Sequence, residues 1–145
     1  MREIVIDASV VVKWFIEEKD SDKALLIRDS FIGGKVELYV PTLLYFEVLN
    51  ALKYSQLFKP SDLEDAGESL ENYGFKVITI KDEMRKHMIN AAIDYDLSIY
   101  DASYLGLSIG LEMLLYTADE KIIKKLPLTL KKKVKSLKQV EEIFT

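Results

Sequence analysis

Four acidic residues in this 145-residue chain have neighbours that single them out. Asp7 follows the β-branched run Ile4-Val5-Ile6, which reads as a buried strand, and precedes the apolar-periodic stretch Ala8 to Phe15. In an open α/β sheet the carboxyl ends of the strands border the crevice that holds ligands, so a carboxylate there is well placed for chemistry. Asp119 comes just after a second such run, Met113 to Tyr116, and Asp101 opens a helix predicted to reach about Ile109. Glu47 lies inside a predicted helix, Thr42 to about Leu57, among Leu44, Phe46, Val48 and Leu49, where a carboxylate without a partner is costly to bury. Each acid also has a plainer use. The three aspartates suit helix N-caps, and Glu47 suits a partly solvated helix face.

If the four converge, they cannot all stand together as bare anions. Two unit charges about 4 Å apart repel by ~4 kcal/mol at an effective dielectric of 20, so the group must take up protons or a cation. With oxygen donors alone, the cation is a hard divalent one, Mg²⁺ or Mn²⁺. The reaction that suits such a centre is metal-assisted phosphodiester hydrolysis. Other chemistries lack their parts. There is no cysteine, and the single His87 falls on the outer side of its helix, which disfavours a thiolate or histidine-rich zinc site and a histidine triad. No glycine-rich turn follows the first strand, as dinucleotide binding requires, and a receiver-type phosphoacceptor would need paired acids where Ala8 and Ser9 stand.

The elements that must position these acids alternate. Strands are predicted at Ile4–Ile6, Val36–Val40, Phe75–Ile80 and Met113–Tyr116, with a short edge strand at Val134–Leu137. The third is expected to be mostly buried. Between them lie helices from Ser21 or Asp22 to about Ile32, over Thr42–Leu57, from Ser61 or Asp62 to before Gly74, over Asp82–Tyr95, over Asp101–Ile109 and over Glu120–Lys125, with a last helical turn at Val140–Phe144. Ala102, Gly106 and Gly110 recur every four residues, a stripe that lets one helix approach another closely. This alternation calls for a parallel sheet with helices on both faces, a three-layer α/β/α sandwich, in one domain spanning residues 1–145.

Composition sets the outer limits. Hydrophobic residues make up 49% and charged residues 30%, the balance of a globular protein. No run approaches the roughly 18 apolar residues of a membrane span, and the N-terminus opens directly on a strand, so an intracellular, cytoplasmic protein without membrane attachment is expected. The net charge is −4, yet eight lysines between Lys121 and Lys138 occur without one Asp or Glu, which leaves −12 on the rest. A basic margin beside an acidic body suits a polyanion held near carboxylates.

Four segments, VIDASVVVKW around Asp7, FEVLNAL around Glu47, YDASYLGLS around Asp101 and LLYTADEKI around Asp119, resemble in order and spacing the PIN domain, and specifically the small VapC-type toxins of toxin–antitoxin pairs. The resemblance spans nearly the whole chain. It implies a PIN-like α/β/α fold and a Mg²⁺-dependent endoribonuclease, commonly a homodimer, inhibited by a cognate antitoxin. It also implies that Asp7, Glu47, Asp101 and Asp119 bind metal, with Ser9, Asn50 and Thr117 orienting carboxylates, waters or phosphate. Lys13, Lys53, Lys121, Lys124 and Lys125, close in sequence to the motif acids, are expected to grip the RNA backbone rather than read bases. The apolar side of the Thr42–Leu57 helix is expected to receive a second copy or the antitoxin. The alternatives are an RNA-processing PIN nuclease that is not a toxin, and a module that binds RNA or protein without cleaving.

Overall fold

The computed structural model describes residues 1–140, and the turn expected beyond Val140 lies outside them. Strand β1 (Arg2–Ile6) is the hub, because Ile4, Val5 and Ile6 are all buried and a strand covered on both faces needs that unbroken apolar run. It pairs in parallel with β2 (Val36–Pro41) on one side and β4 (Leu114–Thr117) on the other. β3 (Lys76–Ile78) and β5 (Val134–Ser136) complete an all-parallel sheet of order β3-β2-β1-β4-β5. The chain therefore moves outward from β1 to β3, then returns to β1's free side for β4 and β5. Between β1 and β4 the direction of winding reverses, and there the carboxyl ends of the strands open a crevice.

Among the described residues, eight α-helices fill the connections: α1 (Ala8–Phe15), α2 (Ser21–Ile32), α3 (Leu43–Tyr54), α4 (Pro60–Asn72), α5 (Glu83–Asp94), α6 (Ile99–Leu111), α7 (Glu120–Lys124) and α8 (Leu128–Lys131). Right-handed crossovers place α1 to α4 on one face and α5 to α8 on the other. In keeping with this, α1 packs on α2 and α3, whereas α6 lies across β1, β2 and β4. No helix among the described residues is long and apolar enough to cross a membrane.

Several local expectations are corrected. Phe75 is buried, but within β3 Lys76 and Val77 are exposed and Ile78 only half-buried. Alternation alone does not tell an edge strand from a central one, and three residues at the rim have only one neighbour to cover them. Thr42 makes no side-chain cap, and α3 ends at Tyr54 because Gln56 turns into the left-handed region at φ 63°. Ser21 does not cap α2 either; its hydroxyl donates to the Ile16 carbonyl and accepts from the Glu18 N–H. α4 starts earlier than expected and neither Ser61 nor Asp62 is its N-cap: Lys59 holds that position, Pro60 opens the first turn, and Asp62 at the third helical position accepts from the Lys59 N–H. Under these helices Trp14, Phe31, Tyr45, Tyr73 and Phe75 form one aromatic cluster, with Trp14 donating to the Ala24 carbonyl at 2.9 Å.

The small-residue stripe does what its spacing suggests. A Cβ on Gly106 would come within 2.9 Å of the Cα, Cβ and N of Met88, so α5 and α6 meet backbone to backbone. A Cβ on Gly110 would lie 2.6 Å from Met84 Cγ, part of a flexible side chain. Gly106→Ala forces the helices apart, a cost of about 1–3 kcal/mol, offset by roughly 1 kcal/mol of helix propensity. The expected result in thermal denaturation is a loss of up to roughly 8 °C for Gly106→Ala, from a net cost of at most about 2 kcal/mol, and a smaller change for Gly110→Ala.

Candidate active site

Asp7 ends the central strand at the point where the winding reverses. Its backbone stands at the N-cap of α1, but its side chain caps nothing. Oδ1 instead accepts from Ser9 Oγ and Oδ2 from Thr117 Oγ1, each at 2.5 Å. The pairing of Ile6 with Tyr116 makes the second bond possible, because it brings the next residues of β1 and β4 level. Both hydroxyls are held in turn: Ser9 Oγ accepts from the Ala118 N–H at 2.9 Å and Thr117 Oγ1 from the Asp119 N–H at 3.0 Å. Asp7 is 6% exposed, and burial raises its carboxyl from 3.8 to about 6 despite the two hydroxyl donors, with the Asp101 charge adding to the rise.

Asp119 does cap its helix, accepting from the Lys121 N–H through Oδ1 at 2.9 Å, so capping and site placement coexist in one carboxylate. Asp101 does not cap. Ser98 holds that position, and its hydroxyl accepts from the Asp101 N–H, which sets Asp101 in the first turn of α6. Burial, and next the charge of Asp119, raise the Asp101 carboxyl, while Ser98 and the Lys125 charge oppose them. Glu47 is half-buried on α3. Its carboxyl is also raised, foremost by burial and further by Asp101, against a hydrogen bond from Tyr104. That bond, from the Tyr104 hydroxyl to Glu47 Oε1 at 2.6 Å, joins α6 to α3 across the carboxyl edge of the sheet.

The four acids thus act on one another, with Asp101 as the common neighbour of Asp7, Glu47 and Asp119. The tight cluster expected from the sequence is nonetheless corrected: among the described residues no three His, Asp or Glu groups close into a ready-made metal cage. No Lys or Arg forms an ion pair with any of the four among the described residues. Lys125 acts on Asp101 through its charge but makes no ion pair with it.

The supporting residues fall into two groups. Ser9 and Thr117 touch Asp7 directly, whereas Asn50 is exposed one turn beyond Glu47. Asn50, Glu47, Lys53 and Tyr100 line a groove of about 1380 Å³ between α3 and α4. Among the lysines, Lys13 is turned to Glu18 at 3.0 Å and to the Lys19 carbonyl at 2.7 Å, and Lys53 lies over the Tyr54 ring at 4.6 Å. Lys125 donates to the Asp96 carbonyl at 2.8 Å, close enough to Asp101 to influence its charge. Lys121 and Lys124 are exposed on α7. The register of β5 splits the lysine-rich stretch, since Ser136 is level with Thr117 while Val134 is level with Leu115, which leaves Lys131 to Lys133 toward the far end of the sheet. Sequence reasoning missed Tyr104 and Ser98. The Asp101 to Tyr104 spacing of three on a helix was the available signal, since it puts both on one face.

A carboxyl whose pKa is higher folded than unfolded binds its proton more tightly in the folded state, so stability falls as pH rises from about 4 to about 6 and the deficit is complete above. For Asp7 the rise to about 6 corresponds to roughly 3 kcal/mol at neutral pH. Asp7→Asn removes that deficit. In metal-free buffer the variant should melt higher than the parent chain at pH 7.5, and the difference should vanish near pH 4, as read by thermal denaturation at both values.

Three solved structures share this architecture. A toxin–antitoxin complex from Klebsiella pneumoniae matches with TM-score 0.66 and 16% identity over 92% of this chain and 97% of that one. PAE2754 from Pyrobaculum aerophilum matches with TM-score 0.68 and 23% identity over 99% and 95%. FitAB bound to an IR36 DNA fragment matches with TM-score 0.67 and 11% identity over 92% and 94%. At these identities they speak to the fold alone. No curated protein matches the sequence. The PIN domain family matches residues 4–127, a span that holds all four acids, Ser9, Thr117 and the reversal point between β1 and β4, and by that match the chain belongs to the PIN domain family.

Proposed function

We propose that the protein is a Mg²⁺- or Mn²⁺-dependent endoribonuclease, the toxin of a VapBC-type toxin–antitoxin pair, with residues 1–145 forming one nuclease domain that acts in the cytoplasm. The observation that carries this reading is the group of Asp7, Glu47, Asp101 and Asp119 at the reversal point, none in an ion pair among the described residues and three of them with carboxyls raised by burial and mutual repulsion. The donor set fits a hard divalent ion. It consists of carboxylate oxygens, and the Tyr104 and Lys121 donors each occupy a single oxygen of Glu47 and Asp119. Mg²⁺ is held by one or two carboxylates with several retained waters, so it does not require a closed cage. When bound, such an ion supplies an acidified water and neutralises charge on the phosphodiester.

The chain's own residues do the rest. Ser9 and Thr117 fix both oxygens of Asp7, and Asp101 occupies the shared middle of the group. Lys121, Lys124 and Lys125 stand beside the acids on the α7 side and attract the phosphate backbone toward an otherwise repulsive centre. Lys13 and Lys53 belong to the same proposed track, Lys13 in its ion pair and Lys53 at the mouth of the α3–α4 groove. That groove has an apolar floor that includes Leu43, Phe46 and Leu49 and an acidic wall of Glu64, Glu68 and Glu71, so it suits an amphipathic basic segment of the antitoxin. Ile89 and Ile93, one turn apart and exposed on α5, offer a second copy an apolar contact for the homodimer. The toxin assignment draws support from the likeness in fold to a chain solved as a toxin–antitoxin complex.

Asp7→Asn and Asp101→Asn should each lower cleavage of a fluorescent RNA by roughly 100-fold with the fold retained. EDTA should abolish cleavage and Mg²⁺ or Mn²⁺ restore it; cleavage that persists in EDTA rejects the metal. Neutralising Lys124 and Lys125 together should weaken RNA binding most at low salt. The slope of log affinity against log salt should fall by about 1.4, at 0.7 per phosphate contact on single-stranded RNA. An unchanged slope removes both residues from the interface.

A further inference from the structure

Tyr104 lies three residues after Asp101 on α6, on the same helix face, and is 2% exposed. Packing alone calls only for its ring, which a phenylalanine supplies. Its hydroxyl, however, donates to Glu47 Oε1 at 2.6 Å, and the backbone N–H of Ala8 faces the Tyr104 hydroxyl oxygen itself. One buried atom therefore connects α6, α3 and the first residue of α1, directly after Asp7. Glu47 and Tyr104 come from helices on opposite faces of the sheet, and no other side-chain hydrogen bond reaches the Glu47 carboxylate among the described residues. A glutamate has three rotatable side-chain bonds, and on a half-exposed helix face only a contact of this kind gives it one orientation.

We propose that Tyr104 is the positioning residue of the site: it holds Glu47 by Oε1 so that Oε2 is the oxygen presented toward Asp101 and a bound cation. This rests on the metal-dependent reading above. A hydroxyl that orients a carboxylate in this way governs how well the ion is held, and loss of such an outer contact typically weakens metal binding or activity by about 10- to 100-fold.

The test compares wild type, Tyr104→Phe, Glu47→Gln and the double variant by Mn²⁺ titration calorimetry, thermal denaturation and RNA cleavage over a range of Mg²⁺. Tyr104→Phe should melt within a few degrees of wild type, bind Mn²⁺ about 10- to 100-fold more weakly and need correspondingly more Mg²⁺ for half-maximal cleavage. Its kcat at saturating Mg²⁺ should fall less than that. In the Glu47→Gln background the same change should have no further effect on Mn²⁺ binding, because the carboxylate that Tyr104 orients is gone. Mn²⁺ affinity within twofold of wild type for Tyr104→Phe, while Glu47→Gln binds weakly, overturns the role of Tyr104 and leaves the nuclease reading standing. A wild type that binds no Mn²⁺ and cleaves RNA in EDTA overturns both. Should Tyr104→Phe fail to melt cooperatively, the hydroxyl proton of Tyr104 in wild type decides by NMR. A shift on addition of Mg²⁺ supports the proposal, and an unmoved signal overturns it.

Discussion

A carboxylate buried at the end of the central strand governs the rest of this structure. Ionising Asp7 in that place opposes folding, and the fold answers with two hydroxyls, one from its own helix and one from the neighbouring strand. The second is available only because β4 lies beside β1 in parallel, with Ile6 opposite Tyr116. The strand order, the return of the chain to the free side of β1 and the pairing register are thus all tied to one acid. The hydroxyls ease its situation without cancelling it, and Asp101 adds to the strain.

The remaining acids extend this pattern outward. Each arrives from a different element, Glu47 from α3, Asp101 from α6 and Asp119 from the cap of α7, and each has at least one tether that fixes it where it stands. Within the PIN domain match these carboxylates are separately anchored around the reversal point, and none of them is closed into an ion pair among the described residues.

What could be read from the amino acids was local. Asp7 stood out because a run of three β-branched residues reads as a buried strand, whereas Ser9 and Thr117 were singled out only through the resemblance to the PIN domain. The parallel sheet followed from alternation. The exposure of β3 did not, since Val77 looks the same in a strand with one neighbour or two. Nor did the central position of Asp101, or its link through Tyr104 to Glu47, because that contact spans 57 residues and exists only once both faces of the sheet are covered. The lysines show the same limit. As a string they form one basic margin, and only the β4–β5 register reveals that Lys131 to Lys133 sit away from the acids.

The contact of Gly106 with the Met88 backbone has a mechanical consequence. At that point no side-chain cushion separates the helices, so α5 and α6 are held as one closely seated plate on one side of the sheet. Asp101 rides on that plate. The opposite wall, where α3 and α4 leave an open groove beside Glu47, has no such seam. The two walls of the crevice are therefore built differently, one seated backbone to backbone at Gly106 and the other left open between α3 and α4.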